Sequence, residues 1–133
     1  MPITNAATPE QQLIAHQNDV FRSSIKYMRT PFNSNNHDFI AIISGLAASI
    51  NAREIEAQIA AFIALLKIVI NYDKFDDDDD PHNEHDMGFF EFEGERCMWK
   101  IDLYDTDLQG YSTDPTDPDV TRRVLTIIYA CDY

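Results

Sequence analysis

The chain has 133 residues and a net charge of −13, from 23 acids against 10 bases. That length makes one domain, 1–133, with enough interior to fold without disulfide or metal staples. The charge argues against direct nucleic-acid binding, which needs Lys and Arg to displace counterions from phosphates, and against docking on anionic lipid. It favours a basic partner, a metal ion, or solubility alone.

Two cysteines, Cys97 and Cys131, are too few for a disulfide framework, and both read as buried thiols in apolar stretches. The start, Met-Pro-Ile-Thr-Asn, has no basic region followed by an apolar run, so no signal peptide is expected. The longest apolar stretch, Ala57 to Ile70, contains Lys67 and is too short to span a bilayer.

Residues 1–8 read as a flexible lead. Thr8-Pro9-Glu10-Gln11 then predicts a helix start, with Thr8 as cap, Pro9 at the first position and Gln11 completing a capping box. Leu13, Val20, Phe21, Ile25 and Met28 recur at helical spacing, and Thr30-Pro31 ends the helix. Pro31 to His37 is polar and loop-like. Phe39 to Ile43 reads as a short strand buried on both faces, broken by Gly45.

Asn51 and Glu54 predict a second capping box. The helix that follows carries Ile55, Ile59, Phe62, Ile63, Leu66 and Ile70 on one broad face, while Leu65 and Ile68 make it apolar nearly all round. It is expected to be a central helix packed on a sheet. A spare face of this helix is a candidate homodimer contact.

Residues 73 to 86 hold eight carboxylates and two histidines. Adjacent like charges repel, so Asp76 to Asp80 predict a solvated loop. Phe89 to Glu93 and Glu95 to Asp105 read as a β-hairpin about Glu93-Gly94. On its second strand Cys97, Trp99, Ile101 and Leu103 alternate with Arg96, Lys100 and Asp102, the period of a half-buried strand. Residues 106–119 contain Asp114-Pro115 and Asp117-Pro118 and read as a second acidic loop. In the last segment, Val120 to Tyr133, Val124, Ile127, Ile128 and Cys131 would suit a helix face, whereas the Val, Thr, Ile and Tyr content suits a strand. The strand is adopted, because a hairpin alone is too small a sheet to cover two apolar helices. The expected fold is therefore α+β, with two main helices on a small, mainly antiparallel sheet of three to four strands.

Charge is unevenly placed. Residues 73 to 119 carry 17 of the 23 acids and only three bases, Lys74, Arg96 and Lys100, a net −14. The rest, 6 acids against 7 bases, is close to neutral. Spaced carboxylates of this kind can occupy Lys and Arg sites that normally hold nucleic-acid phosphates. The predicted partner-binding residues are Asp76, Asp77, Asp78, Asp79, Asp80, Glu84, Asp86, Glu91, Glu93 and Glu95, widened by Asp105, Asp107, Asp114, Asp117 and Asp119. Arg22, Arg122 and Arg123 are expected to pair with this acidic surface.

His82, Glu84, His85 and Asp86 are the ligand types of a divalent metal ion, which makes such an ion the alternative cofactor to none. Their spacing matches no standard zinc motif, and an EF-hand loop from Asp76 would meet Pro81 and Met87 where Gly and Glu are required. Against the metal, His85 and Asp86 can instead bond backbone groups at the start of the hairpin. Glu84, His85 and Asp86 could also act as general acids or bases, but no companion nucleophile and no Gly-rich phosphate loop accompany them. No catalytic residue is assigned, and a non-enzymatic protein is the expectation.

The pattern Asp80-Pro81-His82-x-Glu84-His85-Asp86-x-Gly88, followed by Phe90-Glu91-x-x-Gly94-x-Arg96-x-x-Trp99-Lys100-Ile101-Asp102-x-Tyr104-Asp105, continues into Asp114-Pro115-x-Asp117-Pro118-x-Val120-Thr121-x-Arg123-Val124-Leu125-Thr126-Ile127. Together these resemble domain-of-unknown-function family 3768, whose first helix is similar to Asn18-Asp19-x-Phe21-Arg22. Where that family often has Gly-Gly-Arg before its first strand, this chain has Asn36-His37-Asp38. The resemblance implies a small bacterial protein of a kind frequent on plasmids and phages, and the reading of both cysteines as buried, reduced thiols makes the cytoplasm of the host the expected location. It assigns no catalytic residue. The expected function is an acidic, non-enzymatic inhibitor of a host nucleic-acid-handling defence complex, of anti-CRISPR or anti-restriction type.

Overall fold

Thr8 starts the first helix, α1 (Pro9–Ser23), as predicted: its hydroxyl accepts from Gln11 N at 3.1 Å, and the Gln11 side chain accepts from Thr8 N at 2.9 Å. The computed structural model describes residues 6–24, 39–76, 78 and 80–133. Ile25, Met28, the Thr30-Pro31 stop, the loop Pro31 to His37 and most of the flexible lead lie outside the described residues. The buried side of α1 is only in part the predicted one. Ile14, Ala15, Asn18, Phe21 and Arg22 face inward, and Leu13 and Val20 are exposed. The helix turns inward the face that carries hydrogen-bonding groups as well as apolar ones.

β1 (Phe39–Ile42) is shorter than predicted, and it is an edge strand. Ile40, Ala41 and Ile42 are only half-buried, which corrects the reading of a strand covered on both faces. Ile43 instead caps a short helix, α2 (Ser44–Asn51), that periodicity did not reveal. Gly45 lies in its first turn, and only Leu46 and Ile50 reach the core. Two inward side chains are too few to register as a 3.6-residue repeat.

α3 (Ile55–Ile70) follows after one short turn. The capping box expected from Asn51 and Glu54 does not form, because Asn51 ends α2 and Glu54 caps α3 without a side-chain bond. Gln58 does related work: its amide donates to the carbonyls of Arg53 (2.7 Å) and Asn51 (3.2 Å) at the α2–α3 junction. α3 docks through Ala61, Leu65 and Val69. Of the predicted broad face, Leu66 and Ile70 pack against the core, whereas Ile55, Ile59, Phe62 and Ile63 point to solvent.

The hairpin matches expectation. β2 (Met87–Phe92) pairs antiparallel with β3 (Glu95–Tyr104), and Glu93 and Gly94 both have positive φ, as a two-residue type I′ turn requires. The ambiguous last segment is a strand, β4 (Arg122–Tyr129), followed by a 3-10 turn at Ala130–Asp132. The sheet order is β1-β4-β3-β2, antiparallel except for the parallel β1–β4 edge. Among the described residues, three helices rather than two cover one face, where Trp99, Cys97, Leu125 and Ile127 meet Leu65, Val69, Leu46 and Ile14.

Burial pushes the Cys97 thiol up to about 11, so it stays protonated and inert at neutral pH. Cys131, predicted buried, is exposed, because it lies in the terminal turn beyond β4. Among the described residues, no helix is long and apolar enough to cross a membrane.

Gly88 is fixed by close approach. A Cβ at this position would lie 2.5 Å from the Tyr72 ring and 2.6 Å from Trp99 Nε1, both on buried rings with no room to retreat. A Gly88→Ala variant is expected to lose about 1–3 kcal/mol through overpacking. Urea unfolding measures this, and an unchanged midpoint would contradict the packing described here.

Candidate functional site

The acidic loop is held by a polar hub on α1. Arg22, 4% exposed, donates through Nη1 to the carbonyls of Val69 (2.8 Å) and Ile70 (3.0 Å), the C-terminal end of α3. There a cation meets the negative end of the helix dipole. Nη2 of Arg22 donates to Asp19 at 3.1 Å, and the guanidinium lies 5.2 Å from the Trp99 ring centre. Asp19 also accepts from His85 Nδ1 at 2.9 Å. The His85 ring stacks on Phe75 with centroids 3.9 Å apart. Asn18, fully buried, donates to the Glu84 carbonyl at 2.9 Å and accepts from Arg123 Nε at 3.0 Å. Asn18, Asp19 and Arg22 thus tie α1 to the loop, to α3 and to β4 at once.

Asp80 organises the loop from within. It is 3% exposed, and its carboxylate accepts from the backbone N–H groups of Glu84 (3.1 Å) and His85 (3.2 Å). Those bonds hold Asn83 and His85 at positive φ, a conformation in which Asn and His are among the tolerated types. Asp80 is therefore a cap rather than part of a solvated partner surface. Arg22 and Arg123 are likewise buried rather than spread along the acidic segment: Arg22 bonds the α3 carbonyls and Asp19, and Arg123 bonds the amides of Asn18 and Gln17.

The other predicted partner residues divide by position. Asp76, Asp78, Glu91, Glu93 and Glu95 are exposed, and Asp77 and Asp79 lie outside the described residues. Asp76 accepts from Asp78 N at 3.0 Å, and Glu93 is ion-paired with Arg53. In the second acidic loop, Asp105, Asp114 and Asp117 accept backbone N–H groups of Gln109, Thr116 and Asp119, so these acids shape turns as well as carry charge. His82 is exposed, whereas His85 is turned towards Asp19 and Asp80. Among the described residues, no group of three or more His, Cys, Asp or Glu side chains is arranged to hold a metal ion.

Glu84 and Asp86 do come together, in a cavity of about 200 Å³ lined by Ile14, Glu84, Asp86, Ile101, Asp102, Leu103, Tyr104 and Tyr111. The hub sets this up. Asn18 holds the Glu84 backbone, and Ile101 N donates to the Asp86 carbonyl at 2.7 Å, docking the chain on β3. Asp102 pairs with Lys100 at 2.9 Å, and among the described residues no Lys, Arg or His lines the cavity itself. Burial raises the carboxyl pKa of both Glu84 and Asp86; repulsion from Asp86 raises Glu84 further, and repulsion from Asp80 does the same for Asp86. Burial, then the charges of Glu84, Glu10 and Asp86, also raise Tyr111. The site is an apolar-walled pocket rich in carboxylate, with Lys100 paired to Asp102 at its edge and His82 acting against the upward shifts of Glu84 and Asp86. Among the described residues, no Ser, Thr, Cys or His lines it as a nucleophile. Sequence reading missed Asp102, Tyr104 and Tyr111 as its walls.

These raised values have a consequence for stability. Glu84 and Asp86 bind protons more tightly in the folded state than in the unfolded one. Their contribution to stability is full below the ordinary carboxylate range and is lost as pH rises through the raised values. A Glu84→Gln/Asp86→Asn variant is therefore expected to be more stable than the parent at neutral pH, with the gap closing in acid. Chemical denaturation across that pH range measures it; a gap that does not change with pH would refute the assignment.

The fold and cavity define a small, strongly acidic α+β protein with a carboxylate-lined pocket beside its sheet. The family model described as Protein of unknown function (DUF3768) matches residues 47–132, more than half of the chain, and the chain belongs to that family. The match covers the acidic loop, the hairpin, β4 and all of the pocket except Ile14, and leaves the hub residues of α1 outside it. No curated protein and no solved structure matches the chain.

Proposed function

We propose that the protein is a non-enzymatic interaction protein that occupies a basic surface built for nucleic acid. The observation that carries this reading is the Glu84–Asp86–Asp102 pocket: apolar walls and three carboxylates, of which Asp102 is paired with Lys100 while, among the described residues, no Lys, Arg or His lines the pocket itself. A Lys or Arg side chain of a partner fits that chemistry, with the aliphatic stem against Ile14 and Leu103 and the charge against the carboxylates. Tyr104 and Tyr111 add aromatic faces for a cation. Asp76, Asp78, Glu91 and Glu95 supply exposed charge beyond the pocket.

The target in this proposal is a host nucleic-acid-handling defence complex, of CRISPR or restriction type, opposed by a mobile element. The support for that part is the net −14 segment together with the plasmid and phage company implied by the family resemblance. The alternative, a divalent metal at His82, Glu84, His85 and Asp86, has less support, since His85 is committed to Asp19 and Asp80. Partner capture from host lysate, repeated with Glu84→Gln/Asp86→Asn and at rising salt, tests the proposal. Binding that ignores both the variant and the salt would reject it.

A further inference from the structure

We infer that two copies of this chain pair through the exposed side of α3, antiparallel about a two-fold axis. Ile55, Ile59, Phe62 and Ile63 are 66%, 54%, 42% and 49% exposed. Their positions, i, i+4, i+7 and i+8, form one stripe along the first half of the helix, which ends where Leu66 and Ile70 pack against the core. A contiguous apolar stripe of this size marks an interaction surface.

Charge identifies the occupant. The acidic loops attract a basic partner, but α3 lies outside the net −14 segment and carries one acid, Glu56, in its first turn and one base, Lys67, in its last. A balanced apolar face is matched by another of the same kind. Glu56 and Lys67 also stand on the same flank of the stripe, since eleven residues of helix return to within about 20° of the starting direction. A two-fold axis midway between them, at Ala61–Phe62, places each Glu56 beside Lys67 of the other copy. Parallel pairing in register would set Glu56 against Glu56 and Lys67 against Lys67, and it would align the helix dipoles unfavourably.

Light scattering on the full chain tests this, with an expected mass of twice the 15.3 kDa chain. An Ile59→Glu/Ile63→Glu variant is expected to be monomeric with the parent's circular dichroism, because both side chains already face solvent. Glu56→Lys and Lys67→Glu should each weaken association, by roughly two- to fivefold, and the double swap should restore it. Added salt should strengthen the dimer, since each copy carries −13, whereas it weakens capture of a basic partner. The two readings therefore fail separately. A monomer at every concentration and salt would overturn the inference, as would a dimer that survives Ile59→Glu/Ile63→Glu or a double swap that does not recover.

Discussion

An Arg22→Ala variant is expected to lose about 3 kcal/mol of folding stability, within a total of about 5–15 kcal/mol for a domain of this kind. The guanidinium donates to the Val69 and Ile70 carbonyls and to Asp19 from a site that is 4% exposed. Removing it strips the C-terminal end of α3 of its charged donor, opens a void beside Trp99 and Phe75, and deprives Asp19 of its cation. Arg22→Lys should recover only part of the loss, because an ammonium cannot reproduce a planar fork that serves two carbonyls and a carboxylate. Urea denaturation of the three proteins measures this series. A loss below about 1 kcal/mol would mean that the hub is ornamental, since even one charged hydrogen bond exceeds that.

The second large effect is on binding. Glu84→Gln/Asp86→Asn is expected to weaken capture of a basic partner by about 3 kcal/mol, roughly a hundredfold, because desolvated charge pairs at an interface are worth far more than exposed ones. Both substitutions keep side-chain size and relieve repulsion within the pocket, so lost binding cannot be traced to lost folding. Neutralising the exposed Glu91 and Glu95 should cost much less per residue and act mainly on the association rate. Equal losses from pocket and surface residues would argue for a diffuse charged face without an anchor.

Much of the site was legible, but its roles were not. The pattern from Asp80 to Gly88 was visible as a unit, and the structure explains several of its members. Asp80 caps the loop, His85 stacks on Phe75, and Gly88 admits Tyr72 and Trp99. Reading Asp80 with its four preceding aspartates placed it on the surface, because adjacent identical residues give no sign that one of them accepts two backbone N–H groups. Asn18 and Asp19 were seen only as a resemblance, and Arg22 beyond that only as a partner for surface acids. Their spacing along one helix was the available signal that α1 carries a buried polar row. Asp102, Tyr104 and Tyr111 could not be joined to Glu84 from sequence, since the cavity forms where β3, the acidic loop and α1 converge.

Local physics determined what the sequence could determine alone. The Thr8–Gln11 capping box, the turn at Glu93-Gly94 and the alternation along β3 each depend on neighbours a few residues apart, whereas the strand at β4 followed from the size of sheet the helices need. The acidic segment and the family pattern belong to the same level. Only the tertiary structure decided which face of a helix is buried. α3 is apolar nearly all round, so periodicity offered two faces, and the fold buried Ala61, Leu65 and Val69 while leaving Ile55, Ile59, Phe62 and Ile63 outside. The same holds for α1, where a helix that must satisfy carbonyls at the end of α3 turns Asn18 and Arg22 inward and leaves Leu13 and Val20 to solvent. Burial is set by what an element meets across the core, and hydrophobicity read along one chain does not contain that partner.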